Sequence, residues 1–471
     1  MTRVLIGTAL LMQGAVLYQP ATAQLSLAGA LHRADQSAFG NRIAASAANE
    51  TQARALAPLK GILPSVRAEA GYVRTTDPIG AFGSALRQRT ITQADFDPSR
   101  LNYPGAIGNY QGGVVVDVPI LNVDAWLGRR AALRASNASQ SSEVWTRITI
   151  RVDVIRAYYG AVLSTERATM LRAAVRAAHA HQVQAEAMVR QGMVTKSDAL
   201  LAAVRAGEMD AQLAEADGAA TTARRQLAVL LGGDGADLPA DMPALAQLPT
   251  AERIRAVVGA DTSSTMGQSR ADVDAAARGL DAARADVLRA RSASLPRINS
   301  FARLDWNSPD RLYGGNRNWT TGIMASWSPF AGASEIADVR GAAAREGQAR
   351  TGAEAAQATA RLDVEQTRTT LAVALTRLAI AERAVTQSAE AHRIVARKYE
   401  GGLATVVELL DAQTAETGST LAFAQSRYAV IVSAAERRRA IGGDPATLVA
   451  LDDAGTTVAG ITGPASNHEP Q

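Results

Sequence analysis

The sequence predicts an α + membrane β-barrel fold, built from a duplicated unit in which two strand pairs alternate with long antiparallel helices. Three observations support this fold class. Landmarks recur at a constant spacing of 210 residues, residues 120–238 and 330–444 contain no proline, and short segments alternate polar with apolar residues. A period of two is typical of strands, and proline-free stretches rich in Ala, Arg, Glu and Leu favour helices.

The N-terminus has the order of a secretory signal peptide. Arg3 precedes an apolar run from Val4 to Tyr18, and the small residues Ala21 and Ala23 form a cleavage site before Gln24. Charge, short apolar stretch and small-x-small site are the three parts of such a signal. A buried amphipathic first helix is the disfavoured alternative. We expect residues 1–23 to be a signal peptide and the mature chain to leave the cytoplasm.

The composition excludes several classes of function. The chain has 471 residues and no cysteine, so disulfides, thiolate catalysis and a lipid-modified N-terminal cysteine are excluded. Its net charge of +4 arises from 49 basic and 45 acidic residues that are dispersed along the chain. Because nucleic-acid binding needs a concentrated basic face, we expect no nucleic-acid partner.

Two copies of one unit account for most of the chain. The pairs that are 210 residues apart are Pro119 and Pro329, Gly192 and Gly402, and Gly232 and Gly442. Upstream, Pro64 and Pro296 are 232 residues apart, so the first copy carries 22 extra residues (232 − 210), which fit between Pro78 and Pro119. The predicted parts are a first repeat at 24–232, a linker at 233–264, a second repeat at 265–443 and a flexible C-terminal tail at 444–471.

Each repeat begins with a helix and then contains two segments with strand periodicity. In the first segment Val66, Ala68 and Tyr72 alternate with polar residues or glycine. The predicted strands cover about 64–76, 110–119, 296–307 and 318–328, close to the roughly 9–11 residues that a tilted strand needs to cross a bilayer. Tryptophans at 306, 319 and 327 lie near strand ends, as in interfacial aromatic girdles. A soluble four-stranded sheet packed on helices is the alternative interpretation.

The proline-free stretches predict two very long helical hairpins. Ile148, Val152, Ile155, Tyr159 and Val162 follow one another in steps of four and three, which is coiled-coil spacing. The stretch from Pro119 to Gly192 would give a helix about 100 Å long at a rise of ~1.5 Å per residue. This length exceeds that of any compact domain.

Membrane insertion of such strands requires several copies of the chain. Unpaired backbone groups in hydrocarbon cost several kcal/mol each, so a membrane sheet cannot keep open edges. Known barrels begin at about eight strands, so four strands are too few to close. If the chain spans a membrane, copies must pool their strands.

The order of elements resembles that of the TolC-like outer-membrane efflux and secretion channels, over nearly the whole mature chain. The segments Val118-Pro119-Ile120-Leu121-Asn122 and Ser328-Pro329-Phe330-Ala331-Gly332 resemble the family's barrel-to-helix junctions, and Tyr399 to Gln413 is similar to its second periplasmic tip. The resemblance implies a homotrimer with a 12-strand barrel in outer-membrane lipid and a periplasmic α-barrel. It also implies two partners, a periplasmic adaptor (membrane fusion) protein and an inner-membrane RND or ABC transporter.

The resemblance also implies roles for the two helical-hairpin tips, near 192–198 and 400–406. Their turn and adaptor-contact residues are Gly192, Thr195, Ser197, Asp198, Gly402 and Thr405. Glu408 and Asp411 occupy positions where the family has an acidic constriction, and three copies would attract cations. Ala404 replaces an arginine that helps latch the closed state in the family. Arg190 and Lys196, together with Asp198, are candidates for a different latch.

Five polar residues of the strands are expected to face the barrel lumen: Arg67, Glu69, Arg297, Arg303 and Asp305. We expect no catalytic site, cofactor or metal site. His179 and His181 are two residues apart on a predicted helix, so they point to different faces and do not form a metal-binding pair. The predicted function is a passive exit duct of a tripartite efflux or type I secretion system. The main alternative is a soluble periplasmic coiled-coil adaptor or scaffold, and a secreted enzyme is disfavoured.

Overall fold

The computed structural model describes residues 25–235, 245, 247–259 and 270–452. The predicted signal peptide and residues 453–471 lie outside them. The helices are α1 Leu27–Ser37, α2 Phe39–Arg54, α3 Pro78–Gln88, α4 Pro98–Asn102, α5 Val123–Arg190, α6 Lys196–Leu230, α7 Ala251–Gly259, α8 Ala271–Ser292, α9 Ser334–Glu400 and α10 Val406–Ala440. The strands are β1 Ser65–Thr75, β2 Ile107–Leu121, β3 Arg297–Ser308 and β4 Asn316–Ser326. Short 3₁₀ helices occur at Ala57–Gly61, Gln93–Phe96 and Pro445–Leu451.

The four strands form one antiparallel sheet in the order β1-β2-β3-β4. Within the described residues, β1 and β4 each pair on one side only, so the sheet keeps two open edges. The register shifts between Pro119 and Leu121. Proline has no N–H to donate to a neighbouring strand, so it is tolerated where β2 ends and α5 begins.

The connection between the first two strands is much longer than the second connection. Residues 76–106 link β1 to β2 and contain α3 and α4, whereas only residues 309–315 link β3 to β4. The side chain of Gln88 is buried and donates hydrogen bonds to the Gly108 carbonyl and to Asn109, both at 2.9 Å. The extra residues of the first copy therefore fold back onto the sheet at the end remote from the long helices.

Two helical hairpins, which the sequence predicts, make up about half of the part of the chain that the structure describes. Helices α5 and α9 have 68 and 67 residues, and α6 and α10 have 35 residues each. At ~1.5 Å per residue, α5 is about 100 Å long. The start of α10 at Val406 is 210 residues after the start of α6 at Lys196, so the duplication predicted from the sequence is confirmed.

The main core lies where α1, α7 and the last 3₁₀ helix pack against the middle of α5 and α9 and the C-terminal parts of α6 and α10. Its fully buried side chains include Leu27, Tyr158, Tyr159, Ile254 and Leu448. Elsewhere along the hairpins most buried positions hold alanine, whose small side chain lets helices approach closely. The molecule is thus held together around its middle, and the strands and tips extend to either side.

The prediction of a flexible tail from residue 444 is wrong for the part that the structure describes. Pro445–Leu451 form a 3₁₀ helix whose side chains Leu448 and Leu451 are buried in the core. The carboxylate of Asp452 accepts hydrogen bonds from the Leu27 N–H at 2.6 Å and from the Tyr159 hydroxyl at 2.8 Å. Apolar burial and these hydrogen bonds order the segment.

The predicted linker also contains regular structure. Helix α7 lies inside 233–264, and its residues Ile254, Val257 and Val258 belong to the core. Its amphipathic pattern is short, and the sequence interpretation overlooked it. The segment is therefore partly a structural element rather than only a connection.

Candidate functional site

The first hairpin tip is a glycine turn followed by a capping box. Gly192 has φ +73°, a left-handed conformation that glycine adopts without strain. The Thr195 N–H donates to the Asp198 carboxylate at 2.9 Å, and the Asp198 N–H donates to the Thr195 hydroxyl at 3.3 Å. The Ser197 hydroxyl lies 2.6 Å from that of Thr195. These bonds satisfy backbone donors at the start of α6.

The second tip repeats this arrangement 210 residues later. Gly402 has φ +72°, and the Thr405 N–H donates to the Glu408 carboxylate at 2.7 Å. Donation from the backbone and hydroxyl of Thr405 lowers the pKa of Glu408, so it is charged at neutral pH. The sequence analysis missed this local role, although Thr-x-x-Glu is the signature of a capping box.

Glu408 and Asp411 lie three residues apart on α10, and both are exposed. This spacing places them on one face of the helix, one turn apart. Glu408 is held by the cap, whereas no hydrogen bond or ion pair holds Asp411 within the described residues. The predicted acidic pair is therefore adjacent in the structure, with Asp411 the less restrained of the two.

Tyr399 anchors the second tip against the first hairpin, a role that the sequence analysis did not assign. Its side chain is 3% exposed and packs with Leu409, Leu410, Ala185 and Ala202. Burial, and then the negative charge of Asp198, raise the pKa of Tyr399, so the phenol stays neutral. Its hydroxyl has no hydrogen-bond partner in the described part of the chain.

The sequence contains a signal for Tyr399, since the two repeats differ at this position: the first copy has the smaller Val189.

The residues that the sequence suggested as a different latch do not contact one another in a comparable way. Across the described residues, neither Arg190 nor Lys196 forms an ion pair with Asp198. Ala404, at the position of the missing arginine, packs against the apolar cluster around Tyr399. The contact between the two hairpins near their tips is therefore mainly apolar.

Four of the five predicted lumen residues form one charged network on the sheet. Arg303 contacts Asp305 at 2.7 Å and Glu69 at 3.5 Å, and Arg67 contacts Glu69 at 3.8 Å. These residues share one face, because alternate residues of paired strands point the same way. Glu69, Arg303 and Asp305 line a polar cavity of about 600 Å³, together with Arg87 from α3.

Arg297 is separate from this network. Its guanidinium binds Asp124 at 2.6 Å, in the first turn of α5. The ion pair joins the start of β3 to the start of the long helix, so Arg297 stabilises the junction between sheet and hairpin. Sequence alternation placed Arg297 on the same face as Arg303 and Asp305, as the strand register shows, but it could not reveal Asp124 as the partner.

The opposite face of the sheet is apolar and exposed. Val66 is 71%, Trp319 76% and Ile323 73% exposed. Large apolar side chains exposed together mark a surface that contacts lipid or another chain. Within the described residues, none of the helices combines the length and the apolar character needed to cross a bilayer.

Comparison with known proteins identifies the family. The outer membrane efflux protein family matches residues 21–233 and 263–443. The structure is similar to that of the Campylobacter jejuni CmeC outer membrane channel, with 17% identity, a TM-score of 0.73 and coverage of 89% of this chain and 86% of that chain. It is also similar to the outer membrane protein VceC of Vibrio cholerae, with 18% identity, a TM-score of 0.70 and coverage of 89% and 96%.

A third similar structure is the open state of the Neisseria gonorrhoeae MtrE outer membrane channel, with 18% identity, a TM-score of 0.67 and coverage of 89% of each chain. None of the curated proteins matches the sequence. The fold is thus that of an outer-membrane channel protomer, with a strand domain and long helical hairpins.

The chain belongs to the outer membrane efflux protein family. It is an outer-membrane protein with long periplasmic helices, which confirms the fold, the family and the location predicted from the sequence. The family is one of outer-membrane efflux channels. These findings also argue against the alternative of a soluble periplasmic adaptor.

Proposed function

We propose that three copies of this chain form a passive exit duct across the outer membrane and the periplasm. The open edges of β1 and β4 are the observation that carries the proposal. An edge in hydrocarbon leaves backbone groups unpaired, so β4 of one copy must pair with β1 of the next until the sheet closes. Three copies of this four-stranded sheet give twelve strands, enough for a closed barrel.

The two faces of the sheet fit this assembly. The apolar face, with Val66, Trp319 and Ile323, contacts lipid in this assembly. The charged network lies on the opposite face and therefore lines the lumen. A polar interior keeps the path filled with water. Arg87 of α3 lines the same polar cavity, so α3 narrows the lumen at its outer end.

The helical hairpins extend the path through the periplasm toward an adaptor protein and an energised inner-membrane transporter. A passive duct takes its energy from such a partner. The exposed tip residues Thr195, Ser197 and Thr405 are the surface for the adaptor. Glu408 and Asp411, three copies each, form an acidic ring at the inner end that favours cations.

Cysteine pairs introduced into the strands test the assembly, since the natural chain has no cysteine. We expect Ala68→Cys on β1, combined in turn with single cysteines along β4 from 319 to 325, to give disulfide-linked dimers and trimers on denaturing gels. Val66→Cys with Val116→Cys is the control, because these positions pair within one chain and should leave it monomeric. Monomers for every β1–β4 pair would refute the proposal.

Neutralising the acidic ring tests the inner gate. We expect Glu408→Gln with Asp411→Asn to bring the permeability ratio of cations to anions close to one in planar bilayers, because the ring's charge is lost. Glutamine at 408 still accepts from Thr405, so the capping box stays intact.

Glu400→Gln is the matched control, since Glu400 is an exposed carboxylate of the same tip on the other helix. We expect its selectivity to equal that of the natural protein. Unchanged selectivity in the double variant, or an equal change in Glu400→Gln, would contradict the ring.

A further inference from the structure

Helix α3, which lies in the long connection of the first repeat, is fixed to the luminal face of the sheet. The side-chain amide of Gln88 donates to the Gly108 carbonyl and to the Asn109 side chain, both at 2.9 Å. Asn109 in turn donates to Asn307 at 2.8 Å, and both asparagines are 3% exposed. The strand register places them on the face that carries Arg303. The C-terminal end of α3 is therefore anchored on the inner side of the barrel wall.

Helix α3 spans the width of the sheet at its outer end. It begins next to β1, where the Asp77 N–H donates to the Thr75 hydroxyl at 2.9 Å. It ends next to β4, where the Asn316 side chain donates to the Gln88 carbonyl at 2.8 Å. Its 11 residues give a length of about 16 Å, close to the width of about 14 Å of four strands. The helix thus lies across the mouth of the lumen.

Two opposite faces of α3 differ in exposure. The buried stripe, in steps of four and three, consists of Ala81, Ala85 and Gln88. A second stripe with the same steps, here called the free stripe, consists of Ile79, Gly83 and Leu86. At about 100° per residue the two stripes lie on opposite sides of the helix. Ile79 is 85% and Leu86 50% exposed, and beyond its own turn no part of the described chain lies within 4 Å of a Cβ placed at Gly83.

The flanks of α3 show which way the free stripe faces. On one flank Arg87 lines the polar cavity with Glu69 and Arg303, deeper in the lumen. On the other flank Phe82 meets Phe96 of a 3₁₀ helix edge to face, with ring centres 5.7 Å apart. The remaining direction, away from the wall, is the one that the free stripe takes. It points toward the axis of the barrel.

A barrel of twelve strands is narrow compared with a helix. Strands ~4.8 Å apart and tilted by ~40° give a backbone radius of about 12 Å. A helix with its side chains is about 10–12 Å across. Because α3 is anchored on the wall, its free stripe reaches the axis, where threefold symmetry brings three copies together.

We propose that the free stripes of three copies contact one another at the barrel axis and form an apolar constriction that closes the outer end of the resting duct to ions. The inference rests on the proposed trimer. The contact continues the interface of β1 with β4, because α3 runs between these two edge strands. Ile79 and Leu86 exclude water from a narrow opening, and an apolar constriction blocks ions by dewetting. Gly83 between them lets the helices approach closely.

Single cysteines in the free stripe test the contact. We expect Ile79→Cys, Gly83→Cys or Leu86→Cys, oxidised in membranes, to give disulfide-linked dimers on denaturing gels, because identical residues next to a threefold axis come within disulfide reach. One bond joins two of the three copies, so the third stays monomeric. Ile323→Cys is the matched control, since this exposed apolar residue lies on the lipid face and should not link.

The outcomes separate this inference from the trimer. Monomers at all three positions of the free stripe, together with disulfides between β1 and β4, would overturn the contact at the axis and keep the trimer. Monomers at the stripe and at the strand edges would overturn both. Dimers from Ile323→Cys as abundant as those from the stripe would also overturn the contact, because linking would then not depend on position.

Access from outside measures whether the contact closes the duct. Thr320 is an exposed residue of the polar cavity below α3. In cells that carry the protein in the outer membrane, a charged maleimide too large for general porins should label Thr320→Cys at least about tenfold faster when Ile79→Asp and Leu86→Asp are added, because charge hydrates the constriction. The reagent arrives from outside, so the result does not depend on the periplasmic end.

Gln93→Asp with Ala94→Asp is the control for added charge. Both positions are exposed on the same connection but lie outside the free stripe. This variant should label Thr320→Cys at the rate of its parent. An unchanged rate in the stripe variant, or an equal increase in the control, would contradict closure of the outer end by α3.

Discussion

Replacing Tyr399 with alanine is expected to open the periplasmic end of the channel and to increase the open probability of single channels. Tyr399 is 3% exposed and fills the apolar cluster that joins the second tip to the first hairpin. Truncating a buried aromatic side chain costs about 3–5 kcal/mol. Because this contact belongs to the closed state, its loss lowers the ratio of closed to open states by roughly 10²- to 10³-fold or more.

Tyr399→Phe separates packing from hydrogen bonding at this position. The Tyr399 hydroxyl is buried without a partner, so its removal leaves the packing intact and relieves an unsatisfied polar group. We expect the phenylalanine variant to conduct like the natural protein in planar bilayers. An alanine variant with the natural open probability, or a phenylalanine variant as open as alanine, would contradict an apolar latch.

A chain that ends at Asp444 is expected to be much less stable than one that ends at Asp452. The shorter chain loses Leu448 and Leu451 from the core. Burying a leucine side chain contributes about 1.5–3 kcal/mol, so the loss of both costs roughly 3–6 kcal/mol in the free energy of unfolding. It also removes Asp452, which leaves the buried Tyr159 hydroxyl without this acceptor.

Thermal unfolding followed by circular dichroism in detergent measures the difference. The chain that ends at Asp452 is the control, because it keeps the contacts of the last 3₁₀ helix, and its midpoint should equal that of the full-length protein. Equal midpoints for both shortened chains would mean that the 3₁₀ helix does not stabilise the core.

The repeated architecture could be predicted from the sequence because its signals are local and periodic. Strands end near Pro119 and Pro329, because proline has no N–H to donate to the strand pairing. Helices end near Gly192 and Gly402, because glycine adopts a positive φ without strain. The observed strand β1, Ser65–Thr75, lies within the predicted range of about 64–76. Alternation also placed Arg67, Glu69, Arg303 and Asp305 on one face.

The pairing of side chains across long sequence distances could not be predicted in this way. Arg297 and Asp124 are 173 residues apart, and His181 and His392, whose rings lie close together, are 211 apart, so no local pattern relates them. The sequence distinguished Tyr399 from its counterpart Val189 but could not show its role, because that role depends on burial by the other hairpin. The prediction of a flexible tail was wrong for the same reason. The sequence shows that Leu448 is apolar, but only the tertiary structure shows that it is buried in the core.

By itself, the sequence determined the duplication, the types of the elements and their lengths, because periodicity, proline and glycine act on the backbone over a few residues. The tertiary structure alone decided which side chains of different hairpins meet, as in the burial of Tyr399 against the first hairpin and the approach of the His181 ring to the His392 ring. These contacts depend on how two hairpins about 100 Å long lie against each other. That arrangement is fixed by the sum of many small apolar contacts along the helices, which no single motif encodes.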